Sequence, residues 1–285
     1  MFPSQFAYHR PASVDEAVKL LQQDPDAKIL AGGHSLLPAM KLRLAAPSAL
    51  VDLNRIDSLR QIAVNGNVRI GAMTTYEQIY EADDLKQVLP ILKETIYQLG
   101  DRQVQARGTL GGSLAHSDPG ADLTAVVLAL DGSVTAVGPN GQRTIPVSEL
   151  FVDLLTTSLA PDEVITEVQI PRPQGKTGMA YLKHRHPASG YAVVGVAAVI
   201  TLGDDGNVGA ARIGVTGATS KAERASVAEE ALVGKPLTAD SIASAAALAA
   251  DGLDINGDHY ASADYRRHLV TVYAKRALEQ AAGQL

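Results

Sequence analysis

The sequence of 285 residues predicts an α+β fold, with two small α/β units followed by a unit of antiparallel sheet and helices. Up to the proline-rich segment Pro171–Pro173, short apolar runs of strand length alternate with segments of helical periodicity. Beyond it, apolar runs separated by turn signals predict an antiparallel sheet, and alanine-rich segments predict helices. We therefore expect domains at 1–55, 56–173 and 174–285, with the proline-rich segment as the last linker.

The first unit should hold one helix between short strands. Ser13 followed by Glu16 is a capping-box signature, and apolar residues then recur with helical spacing up to Pro25, which ends the helix. Strands are predicted over Ile29–Ala31 and Ala49–Leu53. A pair of glycines follows the first of these strands.

The second unit should begin with a hairpin, because Asn65–Asn67 contains an Asn-Gly turn between two apolar runs. Thr74 and Glu77 form another capping-box signature, and helical spacing continues over Asp84–Leu99. The remaining predicted elements are a helix over Leu123–Leu130 capped by Asp122, and strands over Ser133–Val137 and Glu163–Ile170.

The third unit should be an antiparallel sheet covered by helices. A turn signal at Gly203–Asn207 joins two of the apolar runs. The predicted elements are strands over Met179–Lys183, Tyr191–Leu202 and Gly209–Thr216, and helices over Ala222–Val233, Ser241–Ala250 and Asp264–Ala282.

Composition excludes several functions. The net charge of −6 and the absence of a basic stripe argue against nucleic acid as a partner. The absence of cysteine excludes disulfides, thiolate-bound zinc and a cysteine-ligated iron–sulfur cluster in this chain. The longest apolar run, Tyr191–Leu202, is shorter than the roughly 20 residues that cross a bilayer. Because the N-terminus lacks the pattern of a secretory signal, we expect a cytoplasmic protein without a transmembrane segment.

Two separate glycine pairs carry the strongest functional signal. One lies in Ala31–Ser35 and the other in Thr109–His116, and each is accompanied by a hydroxyl and a histidine. A single pair by itself is more typical of a tight turn than of a binding site. Two pairs, each allowing close backbone approach and supplying hydroxyl groups, favour binding of the diphosphate of a dinucleotide-type cofactor.

These segments resemble a known family over nearly the whole chain. The matching motifs are Ala31–Ser35, Thr109–His116, Asp118 with Pro119, Asp122, Gly257–His259 and Tyr265–Leu269. They resemble the FAD-binding medium subunit of molybdenum hydroxylases, which includes the FAD-binding subunits of xanthine dehydrogenases and, most similar here, the medium chains of aerobic carbon monoxide dehydrogenases. The resemblance implies a vanillyl-alcohol-oxidase/PCMH-type FAD-binding fold of two α/β subdomains plus a C-terminal sheet-and-helix domain.

The resemblance also implies which residues contact FAD. Asp122 corresponds to a carboxylate that secures a cofactor hydroxyl or the second glycine segment, Ile165 to an apolar position beside the adenine or flavin, and Lys183 and Tyr191 to positions near the isoalloxazine ring. At Gly190 many relatives carry an aspartate instead. The residues implied around the diphosphate are Ala31, Gly32, Gly33, His34, Ser35, Leu36, Leu37, Thr109, Gly111, Gly112 and Ser113.

By the same resemblance, this chain would be an electron-transfer subunit of an oxidoreductase. It would hold FAD without a covalent bond, accept electrons from the [2Fe-2S] clusters of a small subunit, and pass them to an external acceptor. A large subunit would hold the molybdenum–pterin cofactor and select the substrate, in a dimer of heterotrimers. Residue spacing singles out neither a catalytic acid–base pair nor a metal site in this chain.

Other interpretations remain open from the sequence. The chain could be a free-standing FAD oxidoreductase with its own substrate, or a non-enzymatic nucleotide-binding or assembly protein without a redox-active flavin. His184 and His186 lack an apparent third metal ligand, and the loop beginning at Asp254 lacks the spacing of a calcium site. Ser35 beside His34 lacks the G-x-S-x-G context of a hydrolase nucleophile.

Overall fold

The computed structural model describes all 285 residues and contains three large sheets and one small hairpin sheet. The first sheet is parallel in the order β1-β3-β2, as expected where helical segments connect the strands. Ser13 Oγ accepts from the Glu16 N–H and begins the first helix as predicted. The elements are β1 (Ala7–His9), α1 (Val14–Gln23), β2 (Lys28–Leu30), α2 (Leu36–Lys41) and β3 (Ala49–Asp52), followed by short 3-10 turns at Leu53–Arg55 and Asp57–Arg60.

The second sheet has five antiparallel strands in the order β4-β5-β10-β6-β7, with helices against it. Its apolar residues form the largest core of the molecule. The elements are β4 (Ile62–Ala63), β5 (Val68–Gly71), α3 (Tyr76–Glu81), α4 (Asp83–Val88), α5 (Pro90–Tyr97), α6 (Arg102–Arg107), α7 (Leu110–His116), α8 (Asp122–Ala129), β6 (Ser133–Gly138), β7 (Gly141–Pro146), α9 (Val147–Leu150), β8 (Phe151–Asp153), β9 (Thr156–Thr157) and β10 (Val164–Ile170).

The third sheet is antiparallel in the order β11-β12-β13-β14, and helices pack on it. The three predicted strands and the Gly203–Asn207 turn are confirmed. The elements are β11 (Thr177–Arg185), β12 (Ala192–Leu202), β13 (Val208–Thr216), β14 (Glu223–Arg224), α10 (Ser226–Leu232), α11 (Ala239–Ala247) and α12 (Ala263–Ala282). None of the helices combines the length and apolarity needed to cross a membrane.

Helix α8 lies between the second and third sheets, and all of its residues are buried. A Cβ on Gly214 of β13 would lie 2.2 Å from the Ala125 carbonyl oxygen, so the helix backbone packs directly on the third sheet. Each predicted domain contains one large sheet, and the limits 1–55, 56–173 and 174–285 remain predictions.

Several local predictions were wrong. The helical pattern over Asp84–Leu99 is split into α4 and α5, because Pro90 has no N–H to continue a helix and instead begins the next one. The capping box forms one residue later than predicted, between Thr75 and Gln78. Helix α6 was not predicted.

Two further corrections concern residues near the site. Asp122 does not cap α8, since Ala121 occupies the cap position and the Asp122 side chain bonds elsewhere. The helix predicted from Ala222 begins only at Ser226, because the intervening residues pair with β13 as strand β14.

Candidate functional site

Two adjoining clefts mark the candidate site. The first, of about 490 Å³, lies between the first and second units, and the second, of about 270 Å³, lies between the second and third units. Five residues line both clefts: His34, Tyr76, Gly108, Ser113 and His116. The clefts therefore form one elongated site that reaches all three units.

The first glycine segment offers a row of free backbone donors. After β2, the five consecutive N–H groups of Gly32 to Leu36 donate to no acceptor in the protein, and all five residues line the first cleft. Neither cleft is lined by an arginine, and Lys28 is the only lysine among the lining residues. Successive free N–H groups form a concave surface that attracts anions, so backbone dipoles supply most of the positive potential here.

The glycines are required by packing within the protein. A Cβ on Gly32 would lie 2.1 Å from the Arg107 carbonyl oxygen, and one on Gly111 would lie 2.5 Å from the Ala72 Cβ. Gly33 has a φ of +79°, which disfavours residues with a Cβ. The glycines thus let the two segments approach neighbouring protein atoms, whereas the sequence predicts close approach to a ligand.

The second glycine segment is the start of helix α7, which the sequence pattern does not predict. Thr109 Oγ1 accepts from the Gly112 N–H over 3.2 Å, and the N–H groups of Leu110, Gly111 and Ser113 also bond within the protein. This segment therefore presents side chains to the clefts, chiefly the Ser113 hydroxyl and the His116 imidazole.

Two tyrosines lie along the second cleft. Tyr76 is buried at the junction of the two clefts, and burial raises the pKa of its hydroxyl to about 12. The Tyr191 ring is about half exposed; its partial burial raises the pKa of its hydroxyl, and the charges of Asp118 and Asp122 add to this. Both rings therefore remain neutral hydrogen-bonding groups at physiological pH.

In the wall of this cleft, Asp122 is held by two residues of the third unit. The Lys183 Nζ lies 2.9 Å from Asp122 Oδ1, and the Tyr181 hydroxyl donates to the same oxygen over 2.5 Å. All three side chains are buried. Burial raises the pKa of the Asp122 carboxyl, and the charge of Lys183 opposes that rise. Asp122 is not bonded to the second glycine segment, which was one of its two expected roles.

Gly190 connects this ion pair to the wall of the second cleft. Its carbonyl oxygen accepts from Lys183 Nζ over 3.0 Å. Its φ of +75° favours glycine, and a Cβ there would lie 2.8 Å from Arg185 Nη2. This geometry favours glycine over any residue with a side chain at position 190.

The structure brings most of the expected site residues together. Asp122 and Tyr191 line the second cleft, whereas Leu37 packs beneath Gly33 and Lys183 lies behind Asp122, so neither lines a cleft. The residues along the first cleft are Ala31, Gly32, Gly33, His34, Ser35, Leu36, Thr109, Gly111, Gly112, Ser113 and Ile165.

Sequence reasoning missed Tyr76 and the segment from Leu155 to Pro161, which also line the first cleft. No local pattern in the sequence distinguishes Tyr76 from an ordinary core residue. Leu155 has a φ of +52°, unusual for a leucine, but a backbone angle cannot be read from the residue type.

The alternative motifs do not form metal sites. His184 packs against Tyr265 and Tyr273, and His186 packs against Tyr260. The Asp258 carboxylate bonds to Arg266 and to backbone N–H groups of its own loop. No group of three or more histidine, aspartate or glutamate side chains converges in a way that could hold a metal ion.

Comparison with known protein families shows which family this chain belongs to. Residues 4–173 match the FAD binding domain in molybdopterin dehydrogenase, and residues 179–281 match the CO dehydrogenase flavoprotein C-terminal domain. This chain belongs to the FAD-binding family of the molybdopterin dehydrogenases. The predicted family and the predicted α+β FAD-binding fold are thereby confirmed.

Relatives of known function span the chain. It is 39% identical over 283 residues to the 6-hydroxypseudooxynicotine dehydrogenase complex subunit alpha of Paenarthrobacter nicotinovorans, covering 99% of this chain and 96% of that protein. It is 40% identical over 288 residues to the carbon monoxide dehydrogenase medium chain of Hydrogenophaga pseudoflava, covering 99% of this chain and 98% of that one.

A solved structure of carbon monoxide dehydrogenase from Hydrogenophaga pseudoflava contains a chain of the same fold. It superposes with a TM-score of 0.96 at 41% sequence identity, covering 100% of this chain and 99% of that chain. The predictions of an oxidoreductase subunit and of FAD as its cofactor are confirmed at the level of the family.

The geometry of the two clefts also fits FAD, independently of the family comparison. The free N–H groups of Gly32 to Leu36 suit a diphosphate, and the two adjoining clefts suit the two ends of an elongated dinucleotide. Ile165, buried on β10, supplies an apolar wall in the first cleft.

Proposed function

We propose that this chain holds FAD non-covalently along the two clefts and transfers electrons within a molybdenum hydroxylase. Electrons would arrive from [2Fe-2S] clusters of a small subunit and leave to an external acceptor. Bound FAD supplies the redox chemistry, and the protein supplies binding, orientation and electrostatics. The observation that carries the proposal is the row of five unpartnered N–H groups in a chain of an FAD-binding family.

Each residue of the site would contact or support a different part of the cofactor, according to its position. Ala31 and the N–H groups from Gly32 to Leu36 would hold the diphosphate, with Thr109, Gly111, Gly112 and Ser113 closing the opposite side of the first cleft. Ile165 would contact the adenine or the flavin ring, and Tyr191 would lie beside the ring in the second cleft. Leu37 and Lys183 would act indirectly, by supporting Gly33 and Asp122.

The partners follow from the chain's own chemistry and from its relatives. Without cysteine, this chain has no thiolates to ligate an iron–sulfur cluster, so another chain would carry it. Both relatives described above are named as one chain or subunit of a larger enzyme. We propose a large molybdenum-binding subunit and a small [2Fe-2S] subunit as partners, assembled as a cytoplasmic dimer of heterotrimers.

The substrate would be selected outside this chain. The two relatives share 39% and 40% identity with it and yet are named for chemically unrelated substrates, a nicotine derivative and carbon monoxide. The free-standing oxidoreductase is not favoured, because both relatives of this chain are named as parts of larger enzymes.

The experiment is to purify the complex containing this chain, release the flavin with acid and identify it. We expect FAD in an amount equimolar with the chain, and reduction of the flavin by substrate only when the molybdenum subunit is present. Absence of FAD would contradict the proposal. Reduction of the flavin by a substrate in the isolated chain would instead favour the free-standing enzyme.

A further inference from the structure

Asn54 contacts the first glycine segment through one hydrogen bond, and two further hydrogen bonds hold its side-chain amide in place. Its Nδ2 donates to Asp52 Oδ1 over 2.6 Å and to the Ala31 carbonyl oxygen over 3.2 Å. Its Oδ1 accepts from Arg60 Nη2 over 2.9 Å. Asp52 is only 5% exposed, so this hydrogen-bonding network is shielded from water.

The bond to Ala31 orients the first free donor of the cleft. The carbonyl of Ala31 and the N–H of Gly32 belong to the same peptide group, which is planar and trans, so they point in opposite directions. Because Asn54 holds the carbonyl, the Gly32 N–H must point away from Asn54. Gly32 lines the first cleft, and its N–H has no acceptor in the protein.

Arg60 extends the network to the second glycine segment. Its Nη1 donates to the Met73 carbonyl oxygen over 3.0 Å. On either side of Met73, the carbonyl oxygens of residues 72 and 74 accept the N–H groups of Gly111 and Leu110 over 2.9 and 3.1 Å. The segment after β5 that Arg60 holds is therefore the support on which helix α7 begins.

We propose that Asn54 and Arg60 are positioning residues for the cofactor diphosphate. Asn54 fixes the peptide that joins Ala31 to Gly32, and Arg60 sets its distance from the second glycine segment. Neither side chain lines either cleft, so both act through the backbone. This inference rests on the proposed function, because it takes FAD as the ligand.

The test compares two flavins on the complex that contains the full chain, after its own flavin has been removed. FAD carries the diphosphate and riboflavin lacks it. Asn54→Ala should weaken FAD binding about tenfold, the equivalent of one hydrogen bond to a charged group, and leave riboflavin binding unchanged. Asn67→Ala, in an exposed turn where the side chain forms no hydrogen bond, is the control and should change neither affinity.

A second variant tests the inference independently, in case Asn54→Ala fails to fold. Arg60→Lys keeps the positive charge but cannot reach Asn54 and Met73 together, so it should show the same selective loss of FAD binding. An unchanged FAD affinity in both variants, or an equal loss for both flavins, would overturn the inference. Failure of the unmodified chain to bind FAD would instead overturn the proposed function on which it rests.

Discussion

The Tyr181 hydroxyl of the third unit donates a hydrogen bond of 2.5 Å to Asp122 of the second unit. The backbone of Tyr181 is held by the second unit as well, since its N–H donates to Glu94 Oε2 over 3.3 Å and its carbonyl accepts from Gln98 Nε2 over 3.2 Å. With Lys183 paired to the same aspartate, these contacts fix the third unit against helices α5 and α8. The wall of the second cleft at Gly190 depends on that attachment.

Lys183→Met should therefore be strongly destabilising. It leaves the buried Asp122 carboxylate without its counter-charge, and removing one partner of a buried ion pair typically costs about 3–5 kcal/mol. Tyr181→Phe removes only one hydrogen bond to the carboxylate and should cost about 1.5–3 kcal/mol. Urea unfolding of the full chain measures both.

The matched control for the lysine is Lys176→Met, at an exposed position where the side chain forms no hydrogen bond or ion pair. Its effect should be within about 0.5 kcal/mol. If Lys183→Met were no more destabilising than Lys176→Met, the ion pair would have no role in attaching the third unit.

Gly33→Val should abolish FAD retention. Gly33 has a φ of +79°, which strains a valine backbone and should disturb the row of N–H groups. A Cβ there would also lie 2.9 Å from Leu37 Cδ1 and 3.2 Å from Leu30 Cδ1, so these side chains would have to shift. Flavin released by acid from the purified complex measures the effect.

Gly66→Val provides the comparison, because Gly66 has nearly the same φ, +77°, with nothing within 4 Å of an added Cβ. Both variants should lose about 1–2 kcal/mol through backbone strain, but Gly66→Val should keep its FAD. Full flavin content in Gly33→Val would refute the placement of the diphosphate.

Asp52 should make the stability of the protein depend on pH in the acid range. Burial by itself raises the pKa of the Asp52 carboxyl, but hydrogen bonds from Tyr8 and Asn54 outweigh burial and hold the pKa below its usual value. The stabilisation by the charged form is therefore complete above the unfolded pKa of about 3.9 and is lost as the pH falls through the lower folded value.

Asp52→Asn tests the predicted direction of this pH dependence. The difference in unfolding free energy between the wild type and this variant should be constant from neutral pH to about pH 5 and shrink below about pH 4. The exposed Asp26→Asn, whose carboxylate forms no hydrogen bond, is the matched control and should change the unfolding free energy at neutral pH by no more than about 0.5 kcal/mol. A difference that grew on acidification would contradict the assignment.

The sequence was sufficient to find the glycine pairs, because their signal is local. It was also sufficient for the third sheet, since long apolar runs and the Gly203–Asn207 turn specify strands directly. It could not show that the second pair begins a helix, because two adjacent glycines argue against helix locally and the Thr109 cap and packing on Ala72 overrule them.

The contacts that organise the site join residues far apart in the chain. Lys183 and Asp122 are separated by 61 positions, and Asn54 and Ala31 by 23. No periodicity or spacing rule predicts such a pair, so the family resemblance placed Asp122 and Lys183 at the cofactor without showing that they bind each other. Asn54 and Arg60 carry no local signal at all and emerge only from the folded structure.

Hydrogen exchange measured on the complex, with and without FAD, tests the central claim most directly. The N–H groups of Gly32 to Leu36 have no acceptor in the protein, whereas those of Gly111 and Gly112 are already bonded. We predict that FAD slows exchange across residues 32–36 and changes little at the two helix α7 glycines. Unchanged exchange across residues 32–36 in the presence of bound FAD would contradict the claim that these backbone groups hold the diphosphate.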